Sequence, residues 1–347
     1  MTRFLLFSFF SAILLNLPVP GGASAQDHTP DRLFHVYVDD DYLNVRGKGT
    51  DDAYTGGTRF AFFYTKDHPS RFFFDKALPK AGDSSVNVFG WSLMQIMFTP
   101  DNICDPSFQP NDYPWSGALF ATHSLYSYNR AKKYDFQTGL LVGMMGPAAL
   151  AGPAQTAVHE FIRYLKPLGW NNQYGNSPLV NIDFTVEKQE AGSGRFLEVI
   201  GGSQLAAGTA LDQLTLYQLI RIGKMTPYFN GYLSQFSASR ETGGRQRKTI
   251  QAYLFVKPEL ELVAYDAILQ GGIFSSKPHI VSEGVEGKNR TAGYHDINHA
   301  LAEVDYGAVL VIGHFSIAYT QKPTTAYMKG LYSHDVGNVS VYFSWDK

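Results

Sequence analysis

Cysteine, charge and long apolar runs are all scarce in this sequence. Cys104 is the one cysteine among 347 residues, so no disulfide can form within the chain. Charged residues make up 17% of the sequence and the formal net charge is −2, which argues against nucleic acid as a partner. Beyond the N-terminus, no apolar run approaches the ~20 residues of a transmembrane helix. If the chain spans a membrane, it does so as a β-barrel.

The sequence also lacks the common catalytic signatures. It contains no Gly-x-Ser-x-Gly elbow, no phosphate-binding glycine loop and no dinucleotide fingerprint. His295 and His299 are four residues apart, but the segment between them lacks the glutamate of the zinc protease motif. These absences argue against a serine hydrolase of the elbow type, a nucleotide-binding enzyme and a zinc protease.

The N-terminus has the features of an export signal. A basic residue precedes an apolar run over residues 4–17, and the small residues at 23–25 fit the pattern before a signal-peptidase site. We expect residues 1–25 to be a cleaved signal peptide and residues 26–347 to form one domain. The alternative, an N-terminal membrane anchor, is disfavoured because the apolar run is short and prolines end it.

Most of the remaining chain alternates between apolar and polar residues. Val180, Ile182 and Phe184, for example, share one strand face, because side chains along a strand point to opposite faces with a period of two. About twelve segments follow this pattern, over residues 33–43, 55–66, 86–98, 115–128, 133–145, 178–190, 194–203, 210–224, 249–265, 299–312, 314–322 and 336–346.

The length of these segments indicates the fold class. Many match the ~9–11 residues of a tilted membrane strand. An even strand number, an apolar outer face, a polar interior and aromatic residues near strand ends are typical of outer-membrane barrels. Strands of a soluble β-sandwich or lipocalin-like barrel also alternate, but they average nearer ~5–6 residues. We therefore predict an all-β, antiparallel transmembrane barrel of about twelve strands, with a short helix in an extracellular connection.

Strand parity brings an acidic run and a long connection to the outer rim. With both termini in the periplasm, connections after odd-numbered strands face outside. Asp39-Asp40-Asp41 closes the first predicted strand, Thr55 opens the second, and the connection 146–177 follows the fifth. Adjacent carboxylates repel unless water, a cation or protonation relieves them, so the run is a candidate cation site. Asp, Asn and Gly also collect in ordinary loops, which is the simpler interpretation.

The long connection carries a histidine on a predicted helix. Histidine suits proton transfer near neutral pH, although a lone histidine on a short helix is more often structural. His159 lies beside an apolar stripe, where it would face the barrel wall. The helix is expected to end before Pro167, and its stripe recurs at helical spacing as Ala154, Ala157, Val158, Phe161, Ile162 and Leu165.

Several short motifs occur in one order along the chain. They read Asp40-Asp41, Thr50-Asp51-Asp52, Tyr54-Thr55-Gly56-Gly57, Phe98-Thr99-Pro100, Asp112-Tyr113-Pro114-Trp115-Ser116-Gly117, Gly146-Pro147, Gln155, His159 and Gly169-Trp170-Asn171-Asn172-Gln173. In this order they resemble the lipid A 3′-O-deacylase family of Gram-negative outer membranes, whose twelve-stranded barrels hydrolyse an acyl ester of lipopolysaccharide. The resemblance runs from about residue 33 to the C-terminus.

The resemblance implies a function and a set of site residues. It implies an outer-membrane ester hydrolase, acting as a monomer, that removes an acyl chain of the 3′-acyloxyacyl type from lipid A. It further implies His159 as general base, Thr55 as a positioning hydroxyl, and Asp40 with Asp41 beside a bound Ca²⁺. Such chemistry is coherent, because calcium favours oxygen ligands and a divalent cation stabilises a developing oxyanion.

Two positions depart from the family pattern. Asp40 stands where the family has asparagine, and a register shifted by one would make the pair Asp39-Asp40. Leu165 stands where the family has glutamate, six residues after His159, and a leucine side chain neither polarises a histidine nor binds metal. Two alternatives stay open: a non-catalytic barrel of the same fold with a structural or lipid-binding role, and a soluble exported barrel that binds an apolar ligand.

Overall fold

The computed structural model describes most of the chain. The described residues are 27–28, 30–45, 53–66, 68, 70, 72–193, 195–237, 240–241, 250–275 and 296–346. The predicted signal peptide and the Thr50-Asp51-Asp52 motif lie outside them.

Twelve antiparallel strands close into one barrel, each paired with its neighbours along the chain and the last paired with the first. The predicted fold class and strand number are confirmed. The strands are β1 Arg32–Asp40, β2 Ala53–Tyr64, β3 Val86–Thr99, β4 Ser116–Asn129, β5 Tyr134–Met145, β6 Ser177–Ser193, β7 Leu197–Gly208, β8 Leu211–Lys224, β9 Ile250–Asp266, β10 Ala300–Ile312, β11 Phe315–Thr324 and β12 His334–Trp345. A separate two-residue pairing joins Asp27–His28 to Arg240–Glu241.

The period-two pattern divides the wall into an apolar outside and a polar inside. Val180 and Ile182 on β6 are about half exposed on the outer surface. Glu187 on the same strand points inward, where the hydroxyl of Tyr217 donates to it at 2.6 Å. Strands that expose apolar side chains outward and bury charge inward are those of a barrel whose outer surface contacts lipid.

Four short helices occur among the described residues: α1 Phe73–Ala77, α2 Ala151–Ile162, α3 Tyr232–Gln235 and α4 Ala267–Gln270. No helix in this part of the chain is long and apolar enough to cross a membrane. Only α2 matches a helix expected from the sequence, and it ends before Pro167 as predicted.

Connections fill the barrel interior from both ends. At the end that carries the termini, α3 enters the lumen, and the ring of Tyr232 packs 4.5 Å from Phe63 and 5.3 Å from Tyr126. At the opposite end, α4 joins an apolar cluster with residues of three connections, including Tyr113 and Met328. The lumen is therefore packed at both ends around a polar middle.

The first strand is shorter than predicted. It ends at Asp40, whose carboxylate accepts the backbone N–H of Tyr42 and starts a 3-10 turn over Asp41–Leu43. An Asp side chain that bonds two residues ahead competes with the strand ladder in this way. The turn folds back over the outer wall, where the Leu43 carbonyl accepts from the Tyr319 hydroxyl at 2.7 Å.

Candidate functional site

The aspartate run is split between the two sides of the barrel wall. Asp39 points into the lumen, where the hydroxyls of Tyr37 and Tyr54 donate to its Oδ2 atom. There it lines a cavity of about 240 Å³, and its buried Oδ1 atom has no hydrogen-bond partner. Asp40, the next residue along β1, faces the outer surface. The strand thus directs Asp39 and Asp40 to opposite sides of the wall, and Asp41 follows in the 3-10 turn.

Asp40 lies against the neighbouring strand where that strand has a glycine. Asp40 and Gly56 are paired across β1 and β2. A Cβ at Gly56 would lie 3.2 Å from the Asp39 carbonyl oxygen and 3.8 Å from Asp40 Oδ2. Asp41, in the turn beyond, is buried. The glycine of the Tyr-Thr-Gly-Gly motif therefore allows the close approach of the Asp39 backbone carbonyl, next to the Asp40 carboxylate.

A bulge sets the direction of Thr55. The pairing of β2 with β3 shifts by one residue between Tyr54 and Gly56. Tyr54 points into the lumen, and Thr55 is turned to the outer side, where its Oγ1 lies 2.6 Å from Oγ1 of Thr99. Bulges commonly re-aim a side chain at functional sites. Thr55 is thus placed on the same side of the wall as Asp40.

Helix α2 lies on the outer surface of β3 and β4. Its wall-facing side is formed by Ala151, Gly152, Gln155 and His159, all buried. The predicted apolar stripe points the other way, and Phe161 is 88% exposed. The expectation that His159 faces the wall is met, while the stripe faces the surroundings. An outward apolar face is what a helix beside an outer-membrane barrel presents to lipid.

Motif residues from three parts of the chain hold α2 in place. Trp170 Nε1 donates to Gln155 Oε1 at 2.7 Å, so the second turn of the helix is fixed from outside the helix. Trp170 and Trp115 pack edge to face with ring centroids 5.1 Å apart. A Cβ at Gly152 would lie 2.8 Å from Trp170, and one at Gly169 2.5 Å from Trp115. Gly152 and Gly169 are therefore both needed for this close packing.

His159 is anchored by the backbone at the position where the family has glutamate. The helix ends at Ile162, and Arg163 takes a left-handed conformation with φ 57° that reverses the chain. The Leu165 carbonyl consequently reaches His159 Nδ1 at 2.5 Å and accepts its hydrogen. A carbonyl oxygen can only accept, so Nδ1 carries the hydrogen, and in the neutral ring Nε2 carries the lone pair. The sequence argument considered only the leucine side chain and missed this carbonyl.

Strand pairing connects Asp40 and Thr55 to the start of α2, at the end of the barrel opposite the termini. Asp40 and Thr55 are linked through Gly56, and Gly56 is paired with Met97 on β3. Met97 in turn packs against an apolar cluster that includes Ala151 at the start of α2. The paired strands therefore form a continuous outer surface from Asp40 to the start of α2, the helix that bears His159.

A different carboxylate group lies inside the barrel. Among the residues that the structure describes, Glu259, Glu303 and Asp305 bring carboxylate oxygens within 4.8 Å of one another. Lys257 lies 2.9 Å from Glu259, and Lys322 lies 3.5 Å from Glu303. Two ammonium groups offset the charge of this group, which is a lumen ion-pair network. It does not include the predicted ligands Asp40 and Asp41.

Comparison with known proteins gives one strong match. The family model described as "Outer membrane protein LpxR" matches residues 5–345. LpxR from Salmonella typhimurium superposes with a TM-score of 0.68 at 16% identity, covering 90% of this chain and 100% of that one. The beta domain of the Bordetella autotransporter BrkA follows at 0.40, with 7% identity and coverages of 92% and 100%. The translocator domain of NalP from Neisseria meningitidis reaches 0.37, with 11% identity and coverages of 91% and 89%. No curated protein matches.

Proposed function

Because the chain belongs to the family of the outer membrane protein LpxR, we propose that this outer-membrane barrel is an ester hydrolase that removes a 3′-acyloxyacyl-type chain from lipid A. The observation that carries the proposal is the setting of His159. It is buried on the wall-facing side of α2, with its Nδ1–H held by the Leu165 carbonyl. The Leu165 backbone carbonyl thereby polarises the imidazole, which the leucine side chain at the family's glutamate position could not do.

His159 acts as the general base. Its Nε2 lone pair takes a proton from a water molecule whose oxygen attacks the acyl carbonyl carbon. The ester C–O bond then breaks, and the imidazolium returns the proton to the leaving alkoxide oxygen. The Leu165 carbonyl keeps the ring orientation and tautomer through both transfers. The products are a free fatty acid and a hydroxyl group on lipid A.

Thr55 and Asp40 position groups on the strand side of the site. The Thr55 hydroxyl is fixed by Thr99 at 2.6 Å, so its direction is set before substrate arrives. Asp40 is partly exposed, and its Oδ2 lies next to Gly56 on the neighbouring strand. Fixed polar groups of this kind lower the barrier because they need little reorganisation during the reaction.

The donor set on this side of the wall fits calcium. Asp40 ends β1 and Asp41 follows it in the turn, so the chain offers two adjacent carboxylates there. Hard oxygen donors of this type suit Ca²⁺. When bound, the ion would supply positive charge that stabilises the oxyanion of the tetrahedral intermediate. Asp40 and Asp41 would be its protein ligands.

The exposed stripe of α2 suits a lipid substrate. Val158, Phe161 and Ile162 all expose at least half of their surface on the side away from the wall. On an outer-membrane barrel such a face contacts acyl chains, so the substrate's chains are guided along the helix toward the buried His159. An apolar route of this kind supports a lipid ester over a soluble one.

The test is mass spectrometry of lipid A from Gram-negative cells that express the protein with Ca²⁺ supplied. We expect the loss of one acyl mass with the native protein and none with His159→Ala, since removing a general base lowers rates by ~10²–10⁴-fold. His299→Ala is the matched control, because His299 Nδ1 also contacts a backbone carbonyl, that of Val263, at 2.7 Å. Unchanged lipid A beside folded native protein would favour the non-catalytic barrel with a structural or lipid-binding role.

A further inference from the structure

Part of the outer wall near the termini is covered by the protein itself. His123, Leu125 and Ser127 occupy alternate positions on β4 and point outward, yet all three are buried. Trp91, which is paired with His123 on β3, remains 49% exposed beside them. The cover is the segment 72–82 from the connection between β2 and β3, which includes α1. We refer to residues 72–82 as the outer strap.

A buried carboxylate fastens the first half of the outer strap. Asp75 in α1 accepts from His123 Nε2 at 2.6 Å, from Lys66 Nζ at 2.7 Å and from Ser70 Oγ at 2.5 Å. Burial raises the pKa of Asp75, but the hydrogen bonds from Lys66, Ser70 and His123 outweigh it and leave the pKa below its ordinary value. A buried carboxylate with three donors is strongly tied to the wall, because leaving it unpaired is costly.

The second half of the outer strap is fastened through its backbone. The Ala81 N–H donates to Ser127 Oγ at 2.9 Å, and the Ala81 carbonyl accepts from Asn129 Nδ2 at 2.7 Å. Both partners are outward-facing residues of β4 near its end. The outer strap is thus held at two separated points and stays on the wall as a fixed layer.

The outward surface of the outer strap is apolar with basic residues beside it. Phe73 is 74% exposed and Phe72 is 44% exposed, and the ring of Phe72 lies 5.6 Å from that of His123, which lies 4.4 Å from the ring of Trp91. Lys76 and Lys80 are also exposed, and in sequence they lie between the two fastening residues Asp75 and Ala81. Aromatic rings at a membrane boundary with lysines beside them match acyl chains and anionic headgroups.

We propose that the outer strap is a phospholipid-binding element in the leaflet nearest the termini, which strand parity assigns to the periplasmic side. Phe72 and Phe73 contact acyl chains, and Lys76 and Lys80 bind headgroup phosphates. Lipid is the occupant because the strap surface continues the lipid-facing wall at Trp91 and because its exposed lysines complement phosphate charge. The proposal concerns the opposite end of the barrel from His159 and is independent of the hydrolase activity.

Spin labelling tests this proposal in the intact protein. The exposed Cys104 is first replaced by serine. Single cysteines are then introduced into this Cys104→Ser protein as Phe73→Cys, Trp91→Cys and Asp83→Cys. The labelled proteins are placed in phosphatidylethanolamine–phosphatidylglycerol vesicles, and collision with oxygen and with a water-soluble nickel chelate is measured. We expect the label at position 73 to have the same ratio of oxygen to nickel accessibility as the label at the lipid-facing position 91. Both ratios should be several-fold above the ratio at position 83.

A second measurement covers the headgroup contacts. Native mass spectrometry of the protein released from the same vesicles should show less retained phosphatidylglycerol for Lys76→Gln/Lys80→Gln than for the native chain. Heat-shifted mobility in gels confirms that each variant is a folded barrel. A label at 73 as accessible to nickel as the one at 83 would overturn the proposal and indicate a strap that faces water or a periplasmic protein. Equal lipid retention by the double variant would refute the phosphate contacts.

Discussion

Gly117 on β4 limits how closely α2 approaches the wall. A Cβ at this position would lie 2.3 Å from the Cβ of Ala151, the first residue of the helix. Carbon atoms in contact prefer ~3.5–4.0 Å. Gly117→Ala therefore requires the start of α2 to move outward by roughly 1.2–1.7 Å, the difference between these separations.

That displacement reaches the proposed catalytic group. Ala151 and His159 lie on the same buried side of α2, so lifting the helix moves His159 away from the wall. A misplacement of ~1 Å costs ~10²-fold in rate when catalysis depends on positioning. We expect Gly117→Ala to release acyl chains from lipid A about 100-fold more slowly than the native protein. The barrel ladder itself makes its bonds through the backbone and should be retained.

The assay is acyl release from lipid A in mixed micelles, with heat-shifted gel mobility as the measure of barrel folding. Gly139→Ala on β5 is the matched control, because a Cβ there would meet its nearest neighbours at 3.4 Å, an ordinary contact. Native rates for Gly117→Ala would refute the idea that the seating of α2 on β4 positions His159. Equal losses in both variants would show a general effect of strand glycines.

Three further predictions concern the packing of α2 against Trp170, the proposed Ca²⁺ and the outer strap. Trp170→Phe removes the donor to the buried Gln155 Oε1, and the cost of ~1–3 kcal/mol should loosen α2, seen as faster proteolysis of the connection 146–176 in a folded barrel. Chelation should abolish acyl release and added Ca²⁺ restore it, whereas Asp41→Asn should raise the Ca²⁺ concentration needed; activity that survives full chelation would remove the ion from the mechanism. For the outer strap, the lowered pKa of Asp75 means that its stabilising contribution is fully present above the ordinary value of 3.8 and is lost as pH falls through the lower folded value. A spin label at position 73 should therefore stay immobile down to about pH 4 and become mobile below it, and Asp75→Asn should be mobile at neutral pH; pH-independent mobility would contradict this.

The barrel was predictable because residues that face lipid and residues that face the lumen alternate along the strands and differ in polarity. Val180 and Ile182 face lipid, whereas Asn181 and Asp183 on the same strand face the lumen. The same alternation explains why Asp39 points into the lumen and Asp40 faces outward, although the sequence argument treated the aspartate run as one cluster. A strand residue's side depends on register, and the run of identical residues hid that register.

Other features left no readable signal in side-chain identity. The bond from His159 to Leu165 depends on a carbonyl and on the left-handed Arg163, and neither is specified by a side-chain motif. The outer strap was visible only as an unusually long connection between β2 and β3. Its contacts to His123 and Ser127 are long-range pairings, which a single sequence does not encode as a local pattern.

The most direct test of the account is hydrolysis of lipid A by the purified protein in ¹⁸O-labelled water with Ca²⁺ present. If His159 activates water to attack the acyl carbonyl, one ¹⁸O atom enters the released fatty acid, the lipid A hydroxyl stays unlabelled, and His159→Ala shows neither release nor label. Release without label in the acid, or labelled release that persists in folded His159→Ala, would contradict the proposed base. No release at all by folded native protein would contradict the hydrolase.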